Sequence, residues 1–310
     1  MTGARGHGGL DTAMARYGGR REEWVDLSTG INPVPYPVPP LNTEDWSALP
    51  GRAAHDALTE AAREFWGVPD DAAILAAPGT ASLVAHIPGL LPAGRVHIPA
   101  PVRTRHAEAF TAHGWTEGED SPDARVLVHP EDPTGGWYSS DDLGAPFTVI
   151  DEGYADVSPY QSLVSYADRP GTLILKSLGR FWGLAGLRLG FAIGPQNAID
   201  RLAGMLGPLA VSGPALAIGT RALGDRAWAA DTRTRLNEDA AHLDALMVRA
   251  GAGVVGGTSL FRLYRVEDAA AWQDRLAQAR VWSRSYPDSP GWLRLGLPAP
   301  EHWAHVEQAI

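Results

Sequence analysis

Short apolar runs, punctuated by Gly and Pro, alternate with segments of helical period along the first two-thirds of this chain. Between Ala53 and Trp66, the residues Leu58, Ala61, Ala62, Phe65 and Trp66 return to one helical face, and Gly67 closes the segment. Ala73 to Ala77 reads as a short strand that turns through Pro78-Gly79-Thr80-Ala81-Ser82 into another helix. Arg95 to Pro99 reads as a strand and Arg103 to His113 as a helix. Val126 to Val128, Thr148 to Ile150 and Thr172 to Leu175 are apolar runs of the kind that fill parallel strands buried on both faces, and Phe191 to Ile193 is one more. This alternation predicts an α/β doubly wound sheet. The Pro-rich stretch from Asn32 to Pro40 reads as extended chain. From about Gln196 the pattern changes to long helices through Asp200 to Leu223 and Ala227 to Ala250. A second, smaller α/β unit follows, with strands near Leu260 to Tyr264 and Trp292 to Leu295 and helices around Ala269 to Gln278 and His302 to Gln308.

Composition narrows the function classes. The 310 residues suffice for one large and one smaller domain. A net charge of -10 disfavours nucleic acid or an anionic membrane as the main partner, while a local cluster of Arg still suits a small anionic substrate. There is no Cys, so neither disulfides nor thiol chemistry enter. Met1 to Gly9 lacks an apolar signal core and no segment approaches the ~20 apolar residues of a membrane span, so the expected location is the cytoplasm. The ten His show no closely spaced ligand pattern beside a carboxylate, so no metal site is expected. The eleven Trp read as packing residues. One fact is sharper: of 26 basic residues, all but Lys176 are Arg.

Ligands gather at the carboxyl ends of the strands in such a sheet, and four motifs fall there. Gly79-Thr80-Ala81-Ser82 is a strand-to-helix turn suited to a phosphate, and equally to a plain helix entry. His129-Pro130-Glu131-Asp132-Pro133-Thr134-Gly135 is a strand-end turn. Asp151-Glu152-Gly153-Tyr154 ends an apolar strand, where the Asp can serve a ligand or cap a loop. Last comes Lys176-Ser177-Leu178-Gly179-Arg180-Phe181-Trp182-Gly183-Leu184-Ala185-Gly186-Leu187-Arg188, where a Ser and two Arg beside a Gly-rich loop suit a phosphate.

Taken in order, the four motifs resemble the signature of fold-type-I pyridoxal-phosphate (PLP) enzymes. His7-Gly8-Gly9, Ser28-Thr29-Gly30-Ile31-Asn32-Pro33, Ala210-Val211-Ser212-Gly213-Pro214-Ala215 and Gly256-Gly257-Thr258-Ser259-Leu260-Phe261-Arg262-Leu263 narrow the resemblance to the threonine-phosphate decarboxylases of cobalamin biosynthesis, in the class I/II aminotransferase superfamily. The resemblance implies a large PLP-binding domain over residues 34–222 with a mainly parallel seven-stranded sheet. It implies a small domain from residues 1–33 and 223–310, and a homodimer. It also implies PLP as cofactor and L-threonine O-3-phosphate as a substrate that loses carbon dioxide to give aminopropanol phosphate. Asp151 would pair with the pyridine nitrogen, Tyr154 with the ring hydroxyl, and His106, in Pro101 to His106, would stack on the ring. Gly79, Thr80, Ala81, Ser177 and Arg188 would hold the cofactor phosphate. Arg294 would grip the substrate carboxylate, while Gly30 lies in the substrate-binding segment and Arg284 and His7 would meet the substrate phosphate.

The chain departs from this family at two places. The Schiff-base lysine belongs eight residues before Arg188, where Arg180 stands, and Lys176 stands where the family commonly has Arg. A guanidinium stays protonated and cannot take the lysine's part. The family's Asn, which donates to the ring hydroxyl, falls on Asp132, and an ionised Asp only accepts. Leu49-Pro50 also occupies the place from which related enzymes send a Tyr to the neighbouring subunit's cofactor. Three readings follow. In one, Lys176 replaces the lost lysine: its even spacing from Arg180 puts both on one face of extended chain, although four such residues span roughly 13 Å, beyond a lysine's reach without a remodelled loop. In the second, the fold binds PLP or a phosphate ligand without a covalent link. In the third, it is a partner protein without cofactor. A histidinol-phosphate aminotransferase shares the fold, but the His7-Gly8-Gly9 and Ser28 to Pro33 motifs favour the cobalamin branch.

Overall fold

The computed structural model describes residues 9–100 and 104–310, which divide into two compact units. One runs to Val34 and resumes over Thr232–Ile310, and the other is Pro35–Asp231. The second boundary, at Asp231/Thr232, falls inside the helix Arg226–Arg249, nine residues beyond the 222/223 position expected from the sequence, which itself falls inside the helix Gly213–Gly224.

Strand β1 (Val25–Asp26) belongs to the smaller unit. The larger unit builds one sheet from β2 (Ala73–Ala77), β3 (Arg95–His97), β4 (Thr116–Glu117), β5 (Ala124–Val128), β6 (Phe147–Asp151), β7 (Thr172–Ser177) and β8 (Gly190–Gly194). Their order is β2-β8-β7-β6-β5-β3-β4. Neighbours from β4 to β7 are parallel, and only β8 runs against both of its partners. The carboxyl ends of β2, β5, β6 and β7 and the start of β8 therefore share one edge. The apolar runs that announced β5 to β7 are continuous because helices cover both faces. One face packs Val149, Leu173, Leu175 and Ala192 against Leu83, Phe110 and Leu202. On the other, Trp66 of the helix Arg52–Trp66 meets Phe191 with ring centroids 4.9 Å apart.

Part of the Trp content is explained here. Trp182 and Trp228 stack at 5.2 Å, with Phe65 5.2 Å from Trp182 and Tyr36 5.2 Å from Trp228. The Tyr36 N–H donates to the Trp182 carbonyl at 2.9 Å, which ties the Pro-rich stretch to the turn after β7.

The smaller unit forms β9 (Gly253–Thr258), β10 (Phe261–Arg265), β11 (Val281–Trp282), β12 (Arg284–Tyr286) and β13 (Ser289–Gly296). An antiparallel sheet runs β12-β13-β10-β9, and β11 pairs in parallel with β1. The expected long helix through Asp200 to Leu223 is instead two, Gln196–Leu206 and Gly213–Gly224. Gly207 at φ 77° stops the first, and Ser212 starts the second by accepting the Ala215 N–H at 3.4 Å. The pattern also misses β9, whose Val254 and Val255 are exposed beside three glycines, so no buried face marks it.

Candidate active site

Strand alternation sorts the residues at the ends of β6 and β7. Asp151 is the ladder partner of Leu175, so Asp151, Leu175 and Ser177 face one side while Glu152 and Lys176 face the other. A methyl group added at Gly153 would lie 3.2 Å from the Asp151 carboxylate and 4.0 Å from Ser177 Cβ, which places the two side chains around one small space.

On that face Asp151 meets His106 Nε2 at 2.9 Å and accepts the Gly153 N–H at 3.1 Å. Burial alone would raise the Asp151 carboxyl, but the His106 hydrogen bond and charge, the Gly153 N–H and the Arg105 charge outweigh it and hold it below the ordinary carboxylate range. A carboxylate so held stays ionised and can accept from a protonated ring nitrogen. The linked stability is present above the unfolded value and is lost as pH falls through the lower folded one. The variant His106→Ala is therefore expected to raise the Asp151 value and lose this contribution at higher pH than the wild type, as NMR titration of the carboxyl would show.

The residues expected to hold a phosphate meet at the same sheet edge. Gly79, at φ 79°, opens the helix Thr80–His86, with Thr80 and Ala81 half-buried at its entry. A Cβ at Gly79 would lie 2.8 Å from Arg188 Nη2, so the glycine makes room for the guanidinium. A Cβ at Gly190 would lie 2.5 Å from the Thr80 nitrogen, and Gly190 pairs with both Ala77 and Ser177. The loop after β2, Ser177 at the end of β7 and Arg188 before β8 are thus drawn to one edge. Ser177 Oγ accepts the Gly179 N–H at 3.1 Å, and Arg188 donates to the Ala185 carbonyl at 3.1 Å while remaining exposed.

Tyr154, Asp132 and Arg180 come together from the segments that follow β6, β5 and β7. The buried Tyr154 donates its hydroxyl to the Asp132 carboxylate at 3.4 Å. The Arg180 guanidinium lies 5.0 Å from the centre of the Tyr154 ring. Arg180 is not on extended chain: β7 ends at Ser177, and the Gly183 N–H returns to the Arg180 carbonyl at 3.1 Å. The even spacing of Lys176 and Arg180 therefore does not put them on one face.

Lys176 lies elsewhere. It is 1% exposed, on the opposite face of the sheet, with its ammonium 2.5 Å from Glu152 and 3.7 Å from Asp156. Glu152 also accepts from Ser162 Oγ at 2.5 Å and the Leu163 N–H at 2.6 Å. Asp156 accepts the indole N–H groups of Trp66 and Trp182 at 2.9 and 3.0 Å. In the first of the three readings Lys176 stands in for the Schiff-base lysine; here its ammonium is ion-paired with two buried carboxylates on the opposite face of the sheet from Asp151. Sequence reading missed Glu152 and Asp156 as its partners. Strand period carried the signal for the first, since pairing of Asp151 with Leu175 brings Glu152 alongside Lys176.

The smaller unit gathers the substrate candidates separately. Arg294 in β13 is 2% exposed, donates to the Ser28 carbonyl at 2.5 Å, and lies with its guanidinium 5.1 Å from the Phe261 ring. Arg284 in β12 is its cross-strand partner and is exposed. Two arginines directly opposite repel one another, an arrangement suited to an anion. Gly296 sits under the segment leading to buried Gly30, where a Cβ would lie 2.2 Å from the Thr29 carbonyl. Its N–H donates to Leu27 at 2.6 Å. His7 and Pro101 lie outside the described residues, as does Arg103, and the helix expected from Arg103 is described over Thr104–Ala112.

Residues 145–310 match the family described as aminotransferase class I and II. A threonine-phosphate decarboxylase of Sinorhizobium sp. is 38% identical over 95% of this chain and 93% of its own length. The chain belongs to this aminotransferase family, in its threonine-phosphate decarboxylase branch. A second threonine-phosphate decarboxylase, from Pseudomonas aeruginosa, is 34% identical over 98% of this chain and 96% of its own length. Among solved structures, the histidinol-phosphate aminotransferase of Sinorhizobium meliloti in complex with pyridoxal-5'-phosphate superposes with a TM-score of 0.80 at 15% identity, covering 96% of this chain and 92% of that one. The fold-type-I architecture expected for the family is the one observed. No helix among the described residues is long and apolar enough to cross a membrane.

Proposed function

We propose that this threonine-phosphate decarboxylase-like chain holds a vitamin B6 phosphate without a covalent link, and does not decarboxylate threonine phosphate at the rate its relatives' name implies. The observation that carries this reading is the placement of the only lysine behind the sheet, ion-paired with Glu152. The non-covalent part of the site fits the cofactor. Asp151, kept ionised by His106, would hold the ring nitrogen, and the Gly79 loop with Thr80, Ala81, Ser177 and Arg188 would hold the phosphate. The covalent part does not fit, because Arg180 offers no nucleophile. Pyridoxal phosphate, when bound to such a protein, supplies an electron sink.

Arg284 and Arg294 support a phosphorylated amino acid as the second ligand, as does the name of the curated relatives. The working unit is a homodimer in the cytoplasm. Trp46 at 70% and Leu49 at 80% exposure give the larger unit an apolar surface that a second copy would cover.

Equilibrium dialysis against PLP, followed by assay of carbon dioxide release from L-threonine O-3-phosphate, tests the reading. Saturable PLP binding that is fully reversed by dialysis, with no turnover, is the expected result. Turnover by the wild-type chain would overturn it.

A further inference from the structure

His129 is a fully buried polar residue that the proposed ligand site does not use. It follows β5, and its backbone N–H donates to the Asp151 carbonyl at 2.8 Å. Val128 pairs with Asp151, so alternation turns His129 to the side of Glu152 and Lys176, away from the Asp151 carboxylate. We propose that neutral His129 is a positioning residue, a clasp that closes the turn carrying Asp132, and that its protonation opens this turn and weakens ligand binding. The effect on the ligand rests on the reading above, that the chain holds a vitamin B6 phosphate; the clasp itself does not.

Both ring nitrogens are committed. The Tyr138 N–H donates to Nδ1 at 3.1 Å, and Nε2 donates to the Gln161 carbonyl at 2.7 Å. A backbone N–H only donates and a carbonyl only accepts, so the ring is neutral with its proton on Nε2. The first bond joins the two ends of the turn. Inside it, the Glu131 N–H reaches the Gly136 carbonyl at 2.8 Å, and the Gly135 N–H reaches the Glu131 carbonyl at 2.7 Å. The Glu131 carboxylate accepts from the Thr134 hydroxyl and, at 3.1 Å, from the Tyr138 hydroxyl. Asp132 rides on this closed turn, with its carboxylate 3.4 Å from the Tyr154 hydroxyl. The second bond ties the turn to the segment after β6, where Ser162 and Leu163 donate to the Glu152 carboxylate.

A proton on Nδ1 would set two donors against each other and leave the Tyr138 N–H without its acceptor. The surrounding charges do not rescue the imidazolium. Burial opposes it most and Lys176 opposes it further, while the Gln161 carbonyl, Glu152 and Asp142 favour it. The balance holds His129 below the ordinary histidine range. The neutral ring therefore belongs to the closed turn and the protonated ring to the open one. The stability linked to closure is present above the ordinary histidine value of about 6.5 and is lost as pH falls through the lower value of the closed form. Across that window the open population rises about tenfold per pH unit.

The test follows hydrogen exchange residue by residue in the full chain without cofactor, from pH 7.5 to pH 5, corrected for the intrinsic exchange rate. Protection of the Tyr138 amide is expected to fall at least tenfold while the amides of β7 keep theirs. In His129→Asn the amide oxygen can accept the Tyr138 N–H and does not titrate, so this pH dependence is expected to disappear. Tyr138 protection that is constant with pH, or that falls in step with β7, would overturn the inference, and the wild-type chain decides this even if His129→Asn does not fold. Titration with PLP over the same range tests the link to the ligand. Affinity is expected to fall at least threefold further in the wild type than in His129→Asn, and equal falls would overturn the positioning role. Absence of PLP binding at every pH would overturn the function proposed above and the ligand part of this inference, and the exchange result would still decide the clasp.

Discussion

Arg180→Lys is expected to convert reversible PLP binding into a bond that survives borohydride reduction, mapped to position 180. Arg180 stands on the same face as Tyr154 and Asp132, in a turn that begins after β7 has ended. Lysine keeps the charge and nearly the length of arginine, but its amine can lose a proton and attack an aldehyde, which a guanidinium does not do. Decarboxylation of L-threonine O-3-phosphate should rise with it, by at least about a hundredfold, since the new amine can also carry the proton that the product needs. The neighbouring Asp132 would favour the ammonium over the free amine. Arg180→Lys combined with Asp132→Asn should therefore exceed Arg180→Lys alone. A variant that folds and binds PLP yet forms no bond at position 180 would show that this turn does not direct its side chain to the cofactor.

The second large effect concerns stability. Lys176→Met is expected to lower the unfolding free energy by about 3–5 kcal/mol, because it leaves buried charge without its counter-ion. The loss is sharpened by the number of groups that converge on the pair. Glu152 joins Lys176 to Ser162 and Leu163, and Asp156 joins it to Trp66 and Trp182. One ammonium thus holds the loop after β6, the turn after β7 and the last residue of a helix. Lys176→Arg retains the cation and should recover most of the stability, whereas Arg180→Met, at a half-buried position, should cost about 1 kcal/mol or less. Denaturant unfolding of the three variants checks this, and a Lys176→Met chain as stable as the wild type would contradict it.

Local signals made much of the fold legible. Apolar runs bounded by Gly and Pro placed β5, β6 and β7, which are short and mostly buried, and also β2, which is short and mostly half-buried. β9 and β12 lacked such a signal: one is exposed and rich in glycine, the other is the edge strand that carries Arg284. Gly207-Pro208 stops the first helix and Gly213-Pro214 opens the second, and the sequence reading ran through both.

The site was legible as motifs and not as faces. Asp151, Ser177 and Arg188 stood out by position at strand ends. That Asp151 and Lys176 lie on opposite sides of the sheet depends on ladder register, and the register of β6 with β7 is fixed by pairings that no single stretch of sequence contains. Given the pair Asp151 and Leu175, alternation supplies the rest. The aromatic cluster is the same kind of case, since Tyr36, Trp182 and Trp228 are far apart in the chain and meet only through the fold.

On the function proposed, Lys176 is a buried counter-ion and not the residue that carries the cofactor. The most direct test is to saturate the folded wild-type chain with PLP, reduce with borohydride and map the chain by mass. The predicted result is bound PLP with Lys176 unmodified; a phosphopyridoxyl group on Lys176 would contradict its role as a buried counter-ion.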